Sequence, residues 1–145
     1  MNWLFPLMAV LGGVAISVQA SVNGGLGKKI GTLEGAFVSF GIGTLLLLLL
    51  VIFFGQGSML QLGNVPKWQL TGGLLGAFYV AIMVLVVPQA GVTTTVASVI
   101  VGQLLMSVII DHYGLFGGKQ IPMDGKKLIA LLLMGVALYL FYKRS

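Results

Sequence analysis

The sequence predicts an all-α, polytopic membrane protein with five transmembrane helices, and two observations support this. Hydrophobic residues make up 58% of the chain and charged residues only 8%, against roughly 45 to 50% and about 25% in soluble domains. The apolar residues also fall into five runs near the length of about 20 residues that crosses a bilayer as a helix. These runs leave no room for a soluble domain, so we expect a single transmembrane domain over 1–145. The predicted spans are 3–23, 35–54, 69–88, 92–111 and 127–142.

The first two spans differ in how polar they are. The first is followed by Gly24 and Gly25, which suit a helix C-terminus, and then by Lys28 and Lys29 at the level of the headgroups. The second contains six consecutive leucines, 45–50. A helix this uniformly apolar is predicted to face lipid over much of its surface.

The third and fourth spans are predicted to be neighbours. The third begins with Gly72 and Gly76 in a GxxxG pattern, which is typical of close helix contacts. Only the residues from Pro88 to Gly91 separate it from the fourth span, and a proline and glycine turn this short predicts an antiparallel hairpin. The fifth span ends with Tyr142 where an aromatic belt is expected.

The basic residues divide evenly between the two sides of the membrane. An excess of Lys and Arg in cytoplasmic loops normally sets orientation, so this chain is predicted to insert both ways. A chain that inserts both ways can pair with an inverted copy of itself, which predicts half of a ten-helix inverted-repeat transporter fold. One side carries Lys67, Lys119, Lys126 and Lys127, and the other carries Lys28, Lys29, Lys143 and Arg144.

The first helix has a face with small side chains at one end and polar side chains at the other. Gly12, Ala15, Gln19 and Asn23 are three or four residues apart and therefore share this face. Gln and Asn need partners or water, because hydrocarbon offers none. We expect Gln19 and Asn23 either to lie along a substrate pathway or to form hydrogen bonds with neighbouring helices or the headgroup region.

Three further polar residues lie within the third and fourth spans. Tyr79 and Gln103 are each near the middle of a span, and Ser107 follows Gln103 on the same face. The short connection predicts a similar depth for Tyr79 and Gln103, where secondary transporters bind substrate. A hydrogen bond between two helices explains the same placement without a ligand. Helix packing is predicted at Gly12, Gly72, Gly76 and Gly102.

The chain has few acidic residues, and none lies in the middle of a span. Asp111 and His112 close the fourth span and are candidates for ion or proton coupling. The alternative for Asp111 is an interfacial carboxylate near a lysine. Glu34 is predicted to complement the N-terminal end of the second helix, and Asp124 to be a solvated loop residue. The missing mid-span carboxylate argues against a simple carboxylate exchange mechanism.

The sequence predicts no enzyme and no cofactor. One His, no Cys and no paired carboxylates make neither a catalytic triad nor a metal centre. No phosphate-binding glycine loop is present for ATP, so transport would use gradients. Without a basic stripe interleaved with aromatic residues, nucleic acid is not expected as a partner.

Four motifs resemble the YdcZ-type five-helix family of bacterial inner-membrane proteins, within the drug/metabolite transporter superfamily. The family is described as exporters of unknown substrate, and its members occur as single five-helix chains, paired genes and ten-helix fusions with inverted halves. The resemblance implies no catalytic residues, but it implies that the polar residues of the motifs serve substrate binding or folding. The motifs are Gln19-x-x-x-Asn23, Gly76-Ala77-x-Tyr79-Val80, Val87-Pro88-x-x-Gly91 and Gly102-Gln103-Leu104-x-x-Ser107-x-x-Ile110-Asp111-His112-x-Gly114-Leu115-Phe116-Gly117.

We therefore expect an exporter of a small solute that works by alternating access as an antiparallel, dual-topology homodimer. Because no charge lies in mid-span, a neutral, weakly polar or aromatic solute fits better than a strongly charged one. The first alternative is a small dual-topology ion channel lined by residues such as 93–95 and Ser98. The second is a membrane scaffold or subunit without transport.

Overall fold

The computed structural model of the protein describes residues 3–143, and all its regular elements are helices. Five of them are long and apolar enough to cross a membrane. This confirms the prediction of an all-α chain with five membrane-length helices. Arg144, which entered the charge count, lies outside the described residues. The helices are α1 (Leu4–Ile30), α2 (Thr32–Phe54), α3 (Gly72–Ala90), α4 (Val92–Tyr113) and α5 (Gly125–Tyr142).

Helix α1 ends later than the sequence predicted. It continues through Gly24 and Gly25 to Ile30, so the expected C-terminus at those glycines is wrong. Glycine permits a helix to end but does not require it, and inside a membrane an unbroken helix keeps its backbone groups hydrogen-bonded. The break comes at Gly31, whose φ of 107° is open to glycine and strained for other residues. Its N–H still donates to the Gly27 carbonyl at 2.9 Å.

The connections also differ from the predicted loops. Pro88 lies inside α3, and Gly91, with φ 79°, is the one residue between α3 and α4, so the predicted four-residue turn is too long. The antiparallel hairpin of these two helices stays a prediction. Between α2 and α3 the chain forms two 3-10 helices, Met59–Asn64 and Lys67–Thr71, and a third, Leu115–Gly117, follows α4.

The described residues form two compact units, one up to Gln89 and one from Ala90 onward. In the first unit, α1 packs against α2, and both contact α3. Its interior consists mainly of small and β-branched side chains. The buried residues of this unit are Ala20, Asn23, Gly24, Gly35, Ala36, Val80, Met83, Val84 and Val87.

In the second unit, α4 packs against α5, and the 3-10 turn Leu115–Gly117 contacts α4. Thr94 and Thr95 are its buried polar residues. The Thr95 hydroxyl donates to the Gly91 carbonyl at 2.7 Å and the Ser98 hydroxyl to the Thr94 carbonyl at 2.8 Å. Each of these two hydroxyl protons is therefore engaged by the preceding turn of its own helix.

Helix α2 exposes its apolar surface. All six leucines of the run 45–50 are exposed in the single chain. In water such a surface would drive aggregation, whereas in a bilayer it meets lipid tails or other apolar helices.

Candidate functional site

The first unit is built around glycines that bring three helices into close contact. A Cβ atom at Gly27 would clash with the Cγ1 of Val84 on α3. A Cβ at Gly35 would lie 3.1 Å from both the Cα and the N of Gly27. A Cβ at Gly24 would approach the Cγ1 of Val87 to 2.9 Å. We call the contact of α1, α2 and α3 at Gly24, Gly27 and Gly35 the glycine crossing.

The glycine crossing buries one of the two polar residues predicted on α1. Asn23 precedes Gly24 directly and is 5% exposed, whereas Gln19, one turn earlier, is exposed. An amide in this position can offer donors and an acceptor to a group that enters the interior.

Tyr79 is the second polar group in this interior. Its ring packs against the cluster of Ala36, Val80 and Val84, directly beside the glycine crossing. Its hydroxyl is buried, and among the described residues it is the buried side-chain atom that has no hydrogen-bond partner. An unsatisfied buried hydroxyl costs about 1–3 kcal/mol, so a partner from outside the chain would be favoured at this position.

The remaining predicted pathway residues lie on α4, in the second unit. Gln103 and Ser107 are both exposed. Each is therefore accessible to lipid, to solute or to another chain. The prediction that Tyr79 and Gln103 share one site stays a prediction.

Asp111 and His112 end α4 and are half-buried. The Asp111 main-chain carbonyl accepts from the N–H of Ile121 at 2.7 Å. The His112 Nδ1 accepts from the N–H of Met123 at 3.2 Å. Coupling to an ion or proton stays a prediction for this pair. The structure shows that both residues accept hydrogen bonds from the segment between α4 and α5.

The other two acidic residues lie at helix N-termini. Glu34 is in the first turn of α2, as predicted. Asp124, expected to be merely solvated, instead caps α5, since its carboxylate accepts from the N–H of Lys127 at 2.8 Å. The sequence signal for this was present, because Asp is a preferred N-cap residue and the helix begins directly after it. No cluster among residues 3–143 is suited to hold a metal ion.

The glycines predicted to serve helix packing differ in their surroundings. A Cβ at Gly76 would lie 3.4 Å from the ring of Phe40 on α2. A Cβ at Gly12, Gly72 or Gly102 would meet nothing within 4 Å in the described part of the chain. The sequence interpretation missed Gly27 and Gly35, which lie on different helices on either side of the break at Gly31, so spacing along one helix does not reveal their contact.

Comparison with known proteins identifies a family. A family model described as "putative inner membrane exporter, YdcZ" matches residues 4–140. No curated protein and no solved structure matches the chain. The matched segment contains the glycine crossing, Tyr79 and the polar residues of α4.

Proposed function

We propose that this protein, which belongs to the YdcZ family of inner-membrane exporters, moves a small solute across the membrane as a secondary transporter. The family match confirms the resemblance seen in the sequence. Together with the five membrane-length helices, it makes the protein a multi-pass protein of the inner membrane. A family of exporters is not an enzyme class, and the chain offers no ATP-binding loop, so a gradient would drive transport.

The observation that supports this proposal best is the buried Tyr79 hydroxyl, which lacks a partner in the described chain. Tyr79 is near the middle of the apolar span Lys67–Ala90, where Tyr is not favoured on hydrophobic grounds alone. A passing solute that carries a hydrogen-bond acceptor would satisfy the hydroxyl, and Asn23 supplies a second buried polar group in the same unit. Both groups are neutral, which favours a neutral or weakly polar solute.

We further propose that the working unit is an antiparallel homodimer with ten helices, in which each chain is half of an inverted repeat and access alternates between the two sides. The even distribution of Lys and Arg supports insertion in both orientations. The open glycines Gly12, Gly72 and Gly102 and the exposed leucines of α2 leave small and apolar faces to which a second copy could bind.

The orientation of the chain tests the dimer. Because the chain contains no Cys, one cysteine in place of Gln120, an exposed and uncharged residue before α5, leaves the charge balance intact. Intact cells are labelled with a membrane-impermeant maleimide before and after permeabilisation. Labelling of about half the protein from outside is the result expected for dual insertion. Labelling on one side alone would overturn the antiparallel homodimer.

Export itself is tested by comparing the small molecules that accumulate in the medium of cells producing the wild type, Tyr79→Phe or Tyr139→Phe. Both substitutions remove one hydroxyl, but Tyr139 is 61% exposed on α5 and serves as the matched control. We expect at least one neutral solute to be exported by the wild type and Tyr139→Phe and lost in Tyr79→Phe. Equal profiles for all three proteins would contradict the role of Tyr79.

The same proteins in liposomes separate the alternatives. A carrier shows saturation and counterflow of the solute found in the medium. Currents far above carrier turnover would indicate a channel instead. Assembly without any flux would indicate a scaffold.

A further inference from the structure

The segment between α4 and α5 folds back onto the end of α4. Helix α4 ends at Tyr113 and is capped by Gly114, which has a left-handed conformation and donates its N–H to the carbonyls of Asp111 and Ile110. Further along, Ile121 donates its N–H to the Asp111 carbonyl. Two main-chain hydrogen bonds therefore lead to the same carbonyl and bring residues 118–121 back to the helix they follow.

The next contact of this segment uses a side chain. The Met123 N–H donates to Nδ1 of His112 at 3.2 Å. Met123 stands directly before Asp124, the N-cap of α5. The imidazole thus holds the last loop residue before the cap of α5.

One residue of this segment has an unfavourable backbone conformation. Phe116 has φ 59° and ψ 23°, in the left-handed region that a bulky residue rarely occupies. A conformation of this kind persists only when surrounding contacts impose it. Loss of a contact that holds the segment would therefore favour its release.

The contact with His112 depends on the protonation state of the imidazole. A neutral imidazole has one nitrogen that accepts, whereas in the imidazolium both nitrogens carry protons and can only donate. A proton on Nδ1 would place one donor against another. Histidine is the side chain whose charge ordinarily changes between about pH 5 and pH 8.

We propose that His112 is a pH-sensitive latch, which holds the α4–α5 connection while the imidazole is neutral and releases it when the imidazole is protonated. This role is independent of the proposed transport function, because it rests on contacts within the second unit alone.

The neighbouring charged groups do not replace this contact. Asp111 on α4 engages the segment through its main-chain carbonyl, while the Asp124 carboxylate is occupied by the Lys127 N–H. The Lys127 ammonium donates to the Pro122 carbonyl at 3.2 Å. The other charged groups of the connection and of the first turn of α5, Lys119 and Lys126, are exposed. The ring of Tyr113 meets the imidazole edge to face at 4.8 Å.

The sign of the pH effect follows from these contacts. The neutral imidazole favours the latched state, and the imidazolium loses the bond to Met123. Protonation of Asp111 or Asp124 would act at other contacts and leave the His112 bond intact. Release should therefore increase as the pH falls and Nδ1 gains a proton.

The Met123 amide reports the latch directly. The full-length protein, labelled with ¹⁵N at its seven methionines, is studied in lipid nanodiscs, and the Met123 resonance is assigned by its loss in Met123→Leu. Hydrogen exchange of this amide is measured from pH 8 to pH 5 and corrected for the intrinsic pH dependence of exchange. In the wild type we expect the corrected rate to rise about fivefold to tenfold, the factor that one lost hydrogen bond accounts for.

Three variants make the test decisive. In His112→Asn the side-chain oxygen can occupy the place of Nδ1 but does not titrate, so the amide should stay protected at every pH. In His112→Ala it should exchange rapidly at every pH. Asp111→Asn keeps the main-chain carbonyl and should retain the wild-type pH dependence. The proposal is overturned if exchange of the Met123 amide in His112→Asn depends on pH as it does in the wild type. It is also overturned if this amide remains protected at pH 8 in His112→Ala.

Discussion

The glycine crossing and the α4–α5 connection differ in whether their polar groups have hydrogen-bond partners within the described chain. In the connection, the Met123 N–H donates to the His112 imidazole, 11 residues earlier in the chain, and the Lys127 N–H donates to the Asp124 carboxylate, 3 residues earlier. Beside the glycine crossing, the Tyr79 hydroxyl is buried and has no partner in the described chain.

This difference separates two uses of polar residues in a membrane protein. A polar group satisfied by its own neighbourhood stabilises local structure. A polar group buried at a cost and left without a partner is better explained by something that arrives from outside. On this basis Tyr79 is the stronger candidate for solute binding, and His112 and Asp124 are the stronger candidates for shaping the connection.

The largest expected effect comes from Gly27→Ala, which would break the glycine crossing. The added Cβ clashes with Val84, and overpacking of a tight interior costs about 1–3 kcal/mol. We expect a clearly lower midpoint of thermal unfolding, followed through tryptophan fluorescence in detergent.

The matched control for Gly27→Ala is Gly25→Ala on the same helix. A Cβ at Gly25 meets nothing within 4 Å in the described residues, and alanine in a helix is more favourable than glycine by about 0.5–1 kcal/mol. This variant should be as stable as the wild type or slightly more so. Equal losses in both variants would mean that close packing at Gly27 is not the cause.

An intermediate effect is expected at the connection from Asp124→Ala. This substitution removes the carboxylate that accepts from the Lys127 N–H, and the loss of such a cap costs about 1 kcal/mol. Hydrogen exchange of the first turn of α5 should increase. Asp124→Asn keeps a side-chain oxygen and should behave nearly like the wild type, and an equal increase in Asp124→Asn would argue that charge rather than capping matters.

The smallest effect on stability is expected from Tyr79→Phe, which sharpens the comparison because it removes a hydroxyl without a partner. Since no hydrogen bond within the described chain is lost, the midpoint of thermal unfolding should stay the same or rise slightly, by the equivalent of less than about 1 kcal/mol. Any change should appear in the exported solute instead. A marked loss of stability would show that the hydroxyl has a structural partner, such as a second copy of the chain.

Much of the fold could be predicted from the sequence, because the bilayer restricts the choice of structure. Five apolar runs of membrane length must be helical, since a helix satisfies its backbone groups without water. Helix ends were less predictable. Gly24 and Gly25 were predicted to end the first helix but lie within it. The helix instead breaks at Gly31, whose backbone conformation is open to glycine.

The candidate site could be predicted only as a set of polar residues. Spacing along a helix places Gln19 and Asn23 on one face, but it does not reveal that Asn23 is buried and Gln19 exposed. The sequence also predicted helix packing at Gly12 and not at Gly27, although an added Cβ clashes at Gly27 and meets nothing within 4 Å at Gly12 in the described residues.

By itself, the sequence determined that the protein is helical, has five helices of membrane length and belongs to a family of exporters, because composition, periodicity and motif are local properties of the chain. Only the tertiary structure decided which glycines bring helices together, that the Tyr79 hydroxyl is buried without a partner, and that His112 holds Met123. These facts depend on where helices cross and where a connection folds back, and such distances between remote residues are not encoded in local spacing.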